Sequence, residues 1–272
     1  MRLLIHRDYE NVCRWTADYI VQRINAYAPA GVPGPARPFV LGLPTGSTPL
    51  GVYRQLITAY KEKKISFSRV ITFNMDEYLG LSPDHPQSYR RFMEDNFFSA
   101  VDIVKENTHV PDGMTQDPAG ECKAYEEAIK AAGGVELFMG GIGSDGHIAF
   151  NEPGSSLNSR TRVMTLTAET RAANARFFGG DPQKVPARAL TVGIGTVMDA
   201  REVIIIATGR QKARAIQAAV EGGVSHWCPL SCLQTHPSAI IVCDEEAAEE
   251  LKYGTVQYFK AIEKSEIEKS RE

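Results

Sequence analysis

The sequence predicts an α/β fold: one mostly parallel sheet of about seven strands, with helices on both faces. Three observations lead there. Short apolar runs alternate with longer stretches of helical period about seven times. No repeat and no linker interrupts that alternation, so residues 1–272 read as one domain. Polar segments directly follow four of the strands, and an open parallel sheet binds its ligand at those carboxyl ends.

Taken in order, Leu3–His6 is a short strand. Tyr9–Ala26 carries Val12, Trp15, Tyr19, Ile20 and Ile24 at helical spacing. Pro29–Pro38 is rich in Gly and Pro and reads as a loop. Phe39–Leu43 is the second strand, and a helix runs from Leu50 to about Lys63. Between them lies Pro44-Thr45-Gly46-Ser47-Thr48-Pro49, in which Ser47 or Thr48 suits an N-cap and Pro49 the first helical position. A hydroxyl-rich turn opening a helix is either an anion site or simply a good cap. It is neither a Walker A loop nor GxGxxG.

Val70–Asn74 is the third strand and ends in Met75-Asp76-Glu77-Tyr78. Adjacent side chains on extended chain point to opposite faces, so only one of Asp76 and Glu77 faces a cleft. Gln87–Phe98 and Glu121–Ala132 are helices. Val135–Met139 is the next strand, followed by Gly140-Gly141-Ile142-Gly143-Ser144-Asp145-Gly146-His147 and then Glu152. An imidazole titrates near neutrality and a carboxylate can hold its tautomer, so Asp145, His147 and Glu152 suit proton transfer. Turn geometry alone would also account for the Gly and Asp here.

Residues Ser155–Pro186 are polar and helical, with Gly179-Gly180-Asp181-Pro182 near their end. They read either as a movable lid, about 158–187, or as a solvated helix pair. Ala189–Ile194, Val203–Ala207 and Ala239–Cys243 complete the strands. Thr208-Gly209-Arg210-Gln211-Lys212 opens a helix to about Glu221. A lysine in a first turn opposes the helix dipole unless an anion sits there, so Lys212 is either a phosphate ligand or an exposed cation. Asp244–Phe259 is the last helix, and the charged tail from Lys260 to Glu272 is expected to fray.

Composition narrows the class. Hydrophobic content of 43% and charged content of 23% are those of an ordinary globular protein. A net charge of −3 argues against nucleic acid or an anionic membrane as partner. Five scattered cysteines point to free thiols in a reducing compartment. The N-terminus has too short an apolar run for a signal peptide, and no stretch is long enough to span a bilayer. The expected location is the cytoplasm. Neither HExxH nor paired CxxC occurs, so no metal site is expected.

The motifs LGLPTGSTPLGVY at 41–53, TFNMDEYLGL at 72–81, LFMGGIGSDGHIAFNEPGSSLNSRTRV at 137–163, NARFF at 174–178 and ALTVGIGTVMDAREV at 189–203 resemble glucosamine-6-phosphate deaminases. The likeness spans nearly the whole chain. It implies a modified Rossmann-like fold and a cofactor-free conversion of glucosamine 6-phosphate and water into fructose 6-phosphate and ammonia. It also implies roles for particular residues. Asp76 matches the enolising base, His147 the ring-opening imidazole, and Asp145 and Glu152 its supporting carboxylates. Thr45, Ser47, Thr48, Arg176 and Lys212 fall where the family holds phosphate. The same resemblance implies a homo-oligomer, a hexamer, activated by N-acetylglucosamine 6-phosphate between subunits at Ser155, Ser156, Arg162, Thr165 and Tyr258. Met164 stands where that pattern has a lysine, and Ser225-His226-Trp227-Cys228-Pro229 departs from its His-Met-Trp. The nearest alternatives are a 6-phosphogluconolactonase-like hydrolase and a sugar-phosphate sensor without activity. The carboxylate after Asn74-Met75 favours the deaminase over the first. The lack of a basic helix-turn-helix disfavours the second.

Overall fold

A computed structural model describes residues 1–27 and 38–269. The loop read at Pro29–Pro38 lies outside the described residues apart from Pro38. The strands are β1 (Arg2–His6), β2 (Phe39–Leu43), β3 (Val70–Asn74), β4 (Asp76–Tyr78), β5 (Thr108–His109), β6 (Leu137–Gly141), β7 (Arg162–Thr165), β8 (Arg188–Thr191), β9 (Glu202–Ala207) and β10 (Ala239–Asp244). The helices are α1 (Tyr9–Tyr27), α2 (Leu50–Lys61), α3 (Tyr89–Asn96), α4 (Pro118–Ala131), α5 (Ala168–Asn174), α6 (Ile194–Met198), α7 (Ala213–Glu221), α8 (Tyr253–Ile262) and α9 (Lys264–Lys269).

Seven strands form a parallel sheet in the order β1-β10-β9-β6-β2-β3-β5. Alternation splits each apolar strand between two cores. In β9, Val203, Ile205 and Ala207 face the core beneath α4 and α7, whereas Ile204 and Ile206 face the core beneath α1 and α2. The helices therefore cover both faces. From β2 the chain moves one way to β3, and from the neighbouring β6 it moves the other way to β9. Their following loops separate and leave a crevice at that switch point.

Three expectations need correction. The segment Ala189–Ile194 does not join the main sheet. As β8 it lies between β4 and β7 in a separate three-stranded antiparallel sheet. The seventh main-sheet strand is instead β5, a two-residue edge strand with no apolar run to betray it. Periodicity reveals that a run is extended and buried, not which neighbour it pairs with. The tail also differs. Its described part, to Lys269, continues as α9, with Ile267 buried and Arg2 Nε and Nη2 donating to the Glu263 carboxylate at 2.9 and 2.6 Å. Asp244 ends β10, and the last long helix begins only at Tyr253.

Residues 158–187 carry β7 and α5 and pack over a small third core of Tyr78, Phe150, Leu166, Ala175, Val185 and Ala189. No described helix is long and apolar enough to cross a membrane.

Candidate active site

The crevice opens into a cavity of about 320 Å³. The turn after β2 forms one wall and the loop after β6 another. β4 lies at its base and α5 with residues 176–178 along its rim.

Asp76 and Glu77 divide their work as adjacent strand residues must. The Glu77 carboxylate accepts from Tyr78 N, Tyr89 N, Arg90 N and Ser88 Oγ at 2.8 to 3.0 Å. It thereby satisfies the first amides of α3, which otherwise lack partners. Asp76 faces the cavity, is only 7% exposed, and receives no hydrogen bond from the described residues. Desolvation, and then the neighbouring Glu77 charge, push its carboxyl up to about 8. The rings of Tyr78, Tyr89 and Phe150 form the aromatic cluster beside it, with Tyr78 centroids 5.0 and 5.7 Å from the other two.

His147 hangs on the loop after β6. Gly143 N–H donates to His147 O at 2.9 Å. A Cβ on Gly143 would fall 2.2 Å from the imidazole, so only glycine lets the ring lie against that backbone. Nδ1 is 2.7 Å from Asp145 Oδ1, off the line of its N–H, and His147 N–H donates to the same oxygen at 3.2 Å. Burial raises the Asp145 carboxyl, but the imidazole and the amide outweigh it and hold it below the ordinary value.

Glu152 does not join them. It is buried and absent from the cavity wall. Its Oε1 accepts from Thr167 Oγ1 at 3.0 Å, from Thr167 N at 3.3 Å and from Thr170 Oγ1. Thr167 is the N-cap of α5, so this carboxylate is tied to the start of the rim helix. Sequence proximity to His147 concealed that, because residues 148–151 turn the chain away.

Thr45, Ser47 and Thr48 all line the cavity, and Gly46 takes φ +97° to bend the turn. The expected cap is not formed. Pro49 occupies the N-cap position of α2, and no side chain caps it. The Tyr9 hydroxyl instead accepts from Gly51 N at 2.8 Å and donates to Thr48 O at 3.1 Å. The Ser47 and Thr48 hydroxyls are left uncommitted by α2. Arg176 lines the opposite rim, its guanidinium 4.7 Å above Phe177. Lys212 is not on the cavity wall and closes a short 3-10 turn ahead of α7. Burial lowers its ammonium, and both Asp145 and Arg176 lie within electrostatic reach of it.

The unusual segment Ser225–Pro229 and the following Leu230 brace the histidine loop. Leu230 N donates to Gly146 O at 3.0 Å, and Gly154 N donates to His226 O at 2.9 Å. Of the residues read as an effector site, Arg162 reaches Ser155 Oγ at 3.3 Å. Thr165 is exposed at the far end of β7, and Tyr258 is 61% exposed on α8.

Residues 7–242 match the family described as glucosamine-6-phosphate isomerases/6-phosphogluconolactonase. The chain belongs to that family. It is 57% identical over 267 residues to a glucosamine-6-phosphate deaminase of Porphyromonas gingivalis, covering 98% of this chain and 100% of that one. A deaminase of the same name from Treponema denticola is 58% identical over 268 residues, covering 98% of each chain. A monomeric glucosamine-6-phosphate deaminase of solved structure superposes with TM-score 0.85 at 38% identity, over 92% of this chain and all of that one. The 6-phosphogluconolactonase of Trypanosoma brucei shares the fold, with TM-score 0.69 at 20% identity over 92% of this chain and 98% of its own.

Among the residues expected from sequence, Asp76, Asp145, His147, Thr45, Ser47, Thr48 and Arg176 share this family cavity. Tyr89 and Phe150, which wall Asp76 from water, were read only as a helix residue and as part of a motif. Their signal was apolar character, which is the same for core and for cavity wall.

Proposed function

We propose that the protein converts glucosamine 6-phosphate and water into fructose 6-phosphate and ammonia. The observation that carries this reading is the buried, unpartnered Asp76 carboxylate sharing one cavity with His147. A lactone hydrolase needs no base aimed at a carbon-bound proton. An aldose-to-ketose conversion does. Full-length identity of 57% and 58% to relatives named as deaminases supports the same choice.

His147 takes the proton from the O1 hydroxyl and returns one to the ring oxygen, which gives the open-chain aldehyde. Asp145 holds the imidazole orientation. Asp76 then removes the C2 proton while the aldehyde oxygen takes up a proton shed by the C2 ammonium, and the enolamine so formed receives the Asp76 proton at C1. The imine left at C2 adds water and releases ammonia. The substrate's C2 ammonium, arriving beside Asp76, favours the ionised carboxylate that the step requires. Thr45, Ser47 and Thr48 meet the phosphate from the α2 side and Arg176 meets it from the other, while Lys212, off the cavity wall but within electrostatic reach of Arg176, adds its positive charge from behind. The phosphate thus anchors a remote part of the substrate. Residues 158–187 act as a lid, and Glu152 secures the N-terminus of its helix.

Assembly and regulation belong to the same reading. A hexamer in the cytoplasm, with N-acetylglucosamine 6-phosphate held by Ser155, Ser156, Arg162, Thr165 and a neighbouring copy's Tyr258, fits the exposure of Tyr258. Met164 removes a cation from that site, so activation should be weak. A relative of 38% identity is monomeric, so sedimentation decides the assembly.

The deciding experiment incubates the purified protein with glucosamine 6-phosphate and follows ammonium and fructose 6-phosphate together. Both should appear in equal amounts. Their absence, with 6-phosphogluconolactone hydrolysed instead, would replace this reaction with the lactonase one.

A further inference from the structure

Between His147 and Asn151 the chain passes through a conformation that L side chains rarely adopt. Ala149, which lines the cavity, has φ +51°. Its torsions set the angle between two peptide planes, one carrying Ile148 C=O and the other Phe150 N–H. Each plane is held by a fully buried side chain. Asn151 Nδ2 donates to Ile148 O at 2.9 Å. Phe150 N donates to Thr191 Oγ1 at 3.1 Å. Asn151 is itself fixed, since Nδ2 also donates to Val192 O at 2.8 Å and Oδ1 accepts from Arg162 Nη1 at 2.7 Å.

Thr191, the last residue of β8, and Val192, which follows it, also hold the other half of the site. Thr191 stands directly opposite Asp76 in the β4–β8 ladder, and Val192 N donates to Met75 O at 2.8 Å. Thr191–Val192 is therefore a common reference for the strand that bears Asp76 and the loop that bears His147.

We propose that Thr191 and Asn151 are positioning residues, which hold Ala149 in its left-handed conformation and so keep the His147 imidazole in register with the Asp76 carboxylate. This rests on reading His147 and Asp76 as the acid–base pair of the deamination.

The test is a rescue experiment. Thr191→Val keeps the side-chain volume and removes the acceptor. Its kcat should fall roughly 10- to 100-fold with KM little changed, because reacting groups are misplaced rather than lost. Thr191→Ser should return kcat to near the wild-type value. Adding Ala149→Gly to Thr191→Val should recover most of the loss, since glycine takes positive φ without the side-chain penalty. Asn151→Asp removes the Nδ2 donor, and its loss should be relieved in the same way, so the proposal survives a Thr191→Val chain that fails to fold. Wild-type kcat in both single variants, or a loss that Ala149→Gly leaves untouched, would overturn it. The His147 ring resonances, read by NMR without substrate, should move in Thr191→Val and return in the double variant. If wild-type protein releases no ammonium, the reaction reading fails while the ring resonances still decide the positioning.

Discussion

At the scale of single residues, the environment of Asp76 makes two measurements informative. Its carboxyl is raised from 3.8 to about 8, first by desolvation and then by Glu77. Between those values the folded chain holds a proton that the unfolded chain has already lost, so stability falls as pH rises through that window. Asp76→Asn removes the penalty. Its melting temperature should therefore gain on the wild type from about pH 4 to 8, while kcat drops by about 10²- to 10⁴-fold. Thermal unfolding and turnover over that pH range check both. In the wild type, kcat/KM should climb with pH with a midpoint near 8, which reports the free enzyme. The corresponding rise in kcat should lie at lower pH, because the bound ammonium favours the carboxylate. Coincident midpoints would mean that the titrating group is not beside the substrate amine. Asp76 was legible from sequence as one member of an adjacent carboxylate pair. The family resemblance chose Asp76 of the two, and the structure supplies the physical reason, since Glu77 is occupied by the amides of α3.

At the scale of elements, the rim helix and the residues proposed to hold phosphate are the parts to perturb. Glu152→Ala deprives the start of α5 of an acceptor for three donors. Amide protection along α5 should fall and KM should rise more than kcat falls, as hydrogen exchange and steady-state kinetics would show. A change in the His147 ring resonances with α5 protection intact would instead place that carboxylate at the imidazole. Arg176→Ala should weaken kcat/KM for the phosphorylated sugar by about 10- to 100-fold, the worth of one hydrogen bond to a charged group. Glucosamine without phosphate should be turned over equally by both proteins, and a difference there would remove Arg176 from the phosphate site. The turn at 44–49 was readable as the opening of a helix from its Pro and hydroxyl residues. Its real partner, the Tyr9 hydroxyl from α1, comes from 42 residues before Gly51, which local cap rules cannot see.

At the scale of the whole molecule, the C-terminal helices close one edge of the sheet. α9 packs on β1 with Ile267 buried, and the Arg2–Glu263 pair ties the junction of α8 and α9 to the same strand. Ile267→Ala should cost about 2 kcal/mol in urea unfolding, and a neutral effect would mean that α9 is not docked in solution. By itself the sequence determined that strands alternate with helices, that the main sheet is parallel, and which turns carry titratable and hydroxyl side chains. Those properties follow from local period and from the polarity of short segments. Only the tertiary structure decided that β8 left the main sheet to pair with β4 and β7, and that Glu152 turned to α5 rather than to His147. It alone showed that Thr191 and Val192 bond both to the strand that bears Asp76 and to the loop that follows His147. These are pairings between distant segments. A buried strand has the same alternation whichever neighbour receives its hydrogen bonds, so the choice is made by packing of the complete chain.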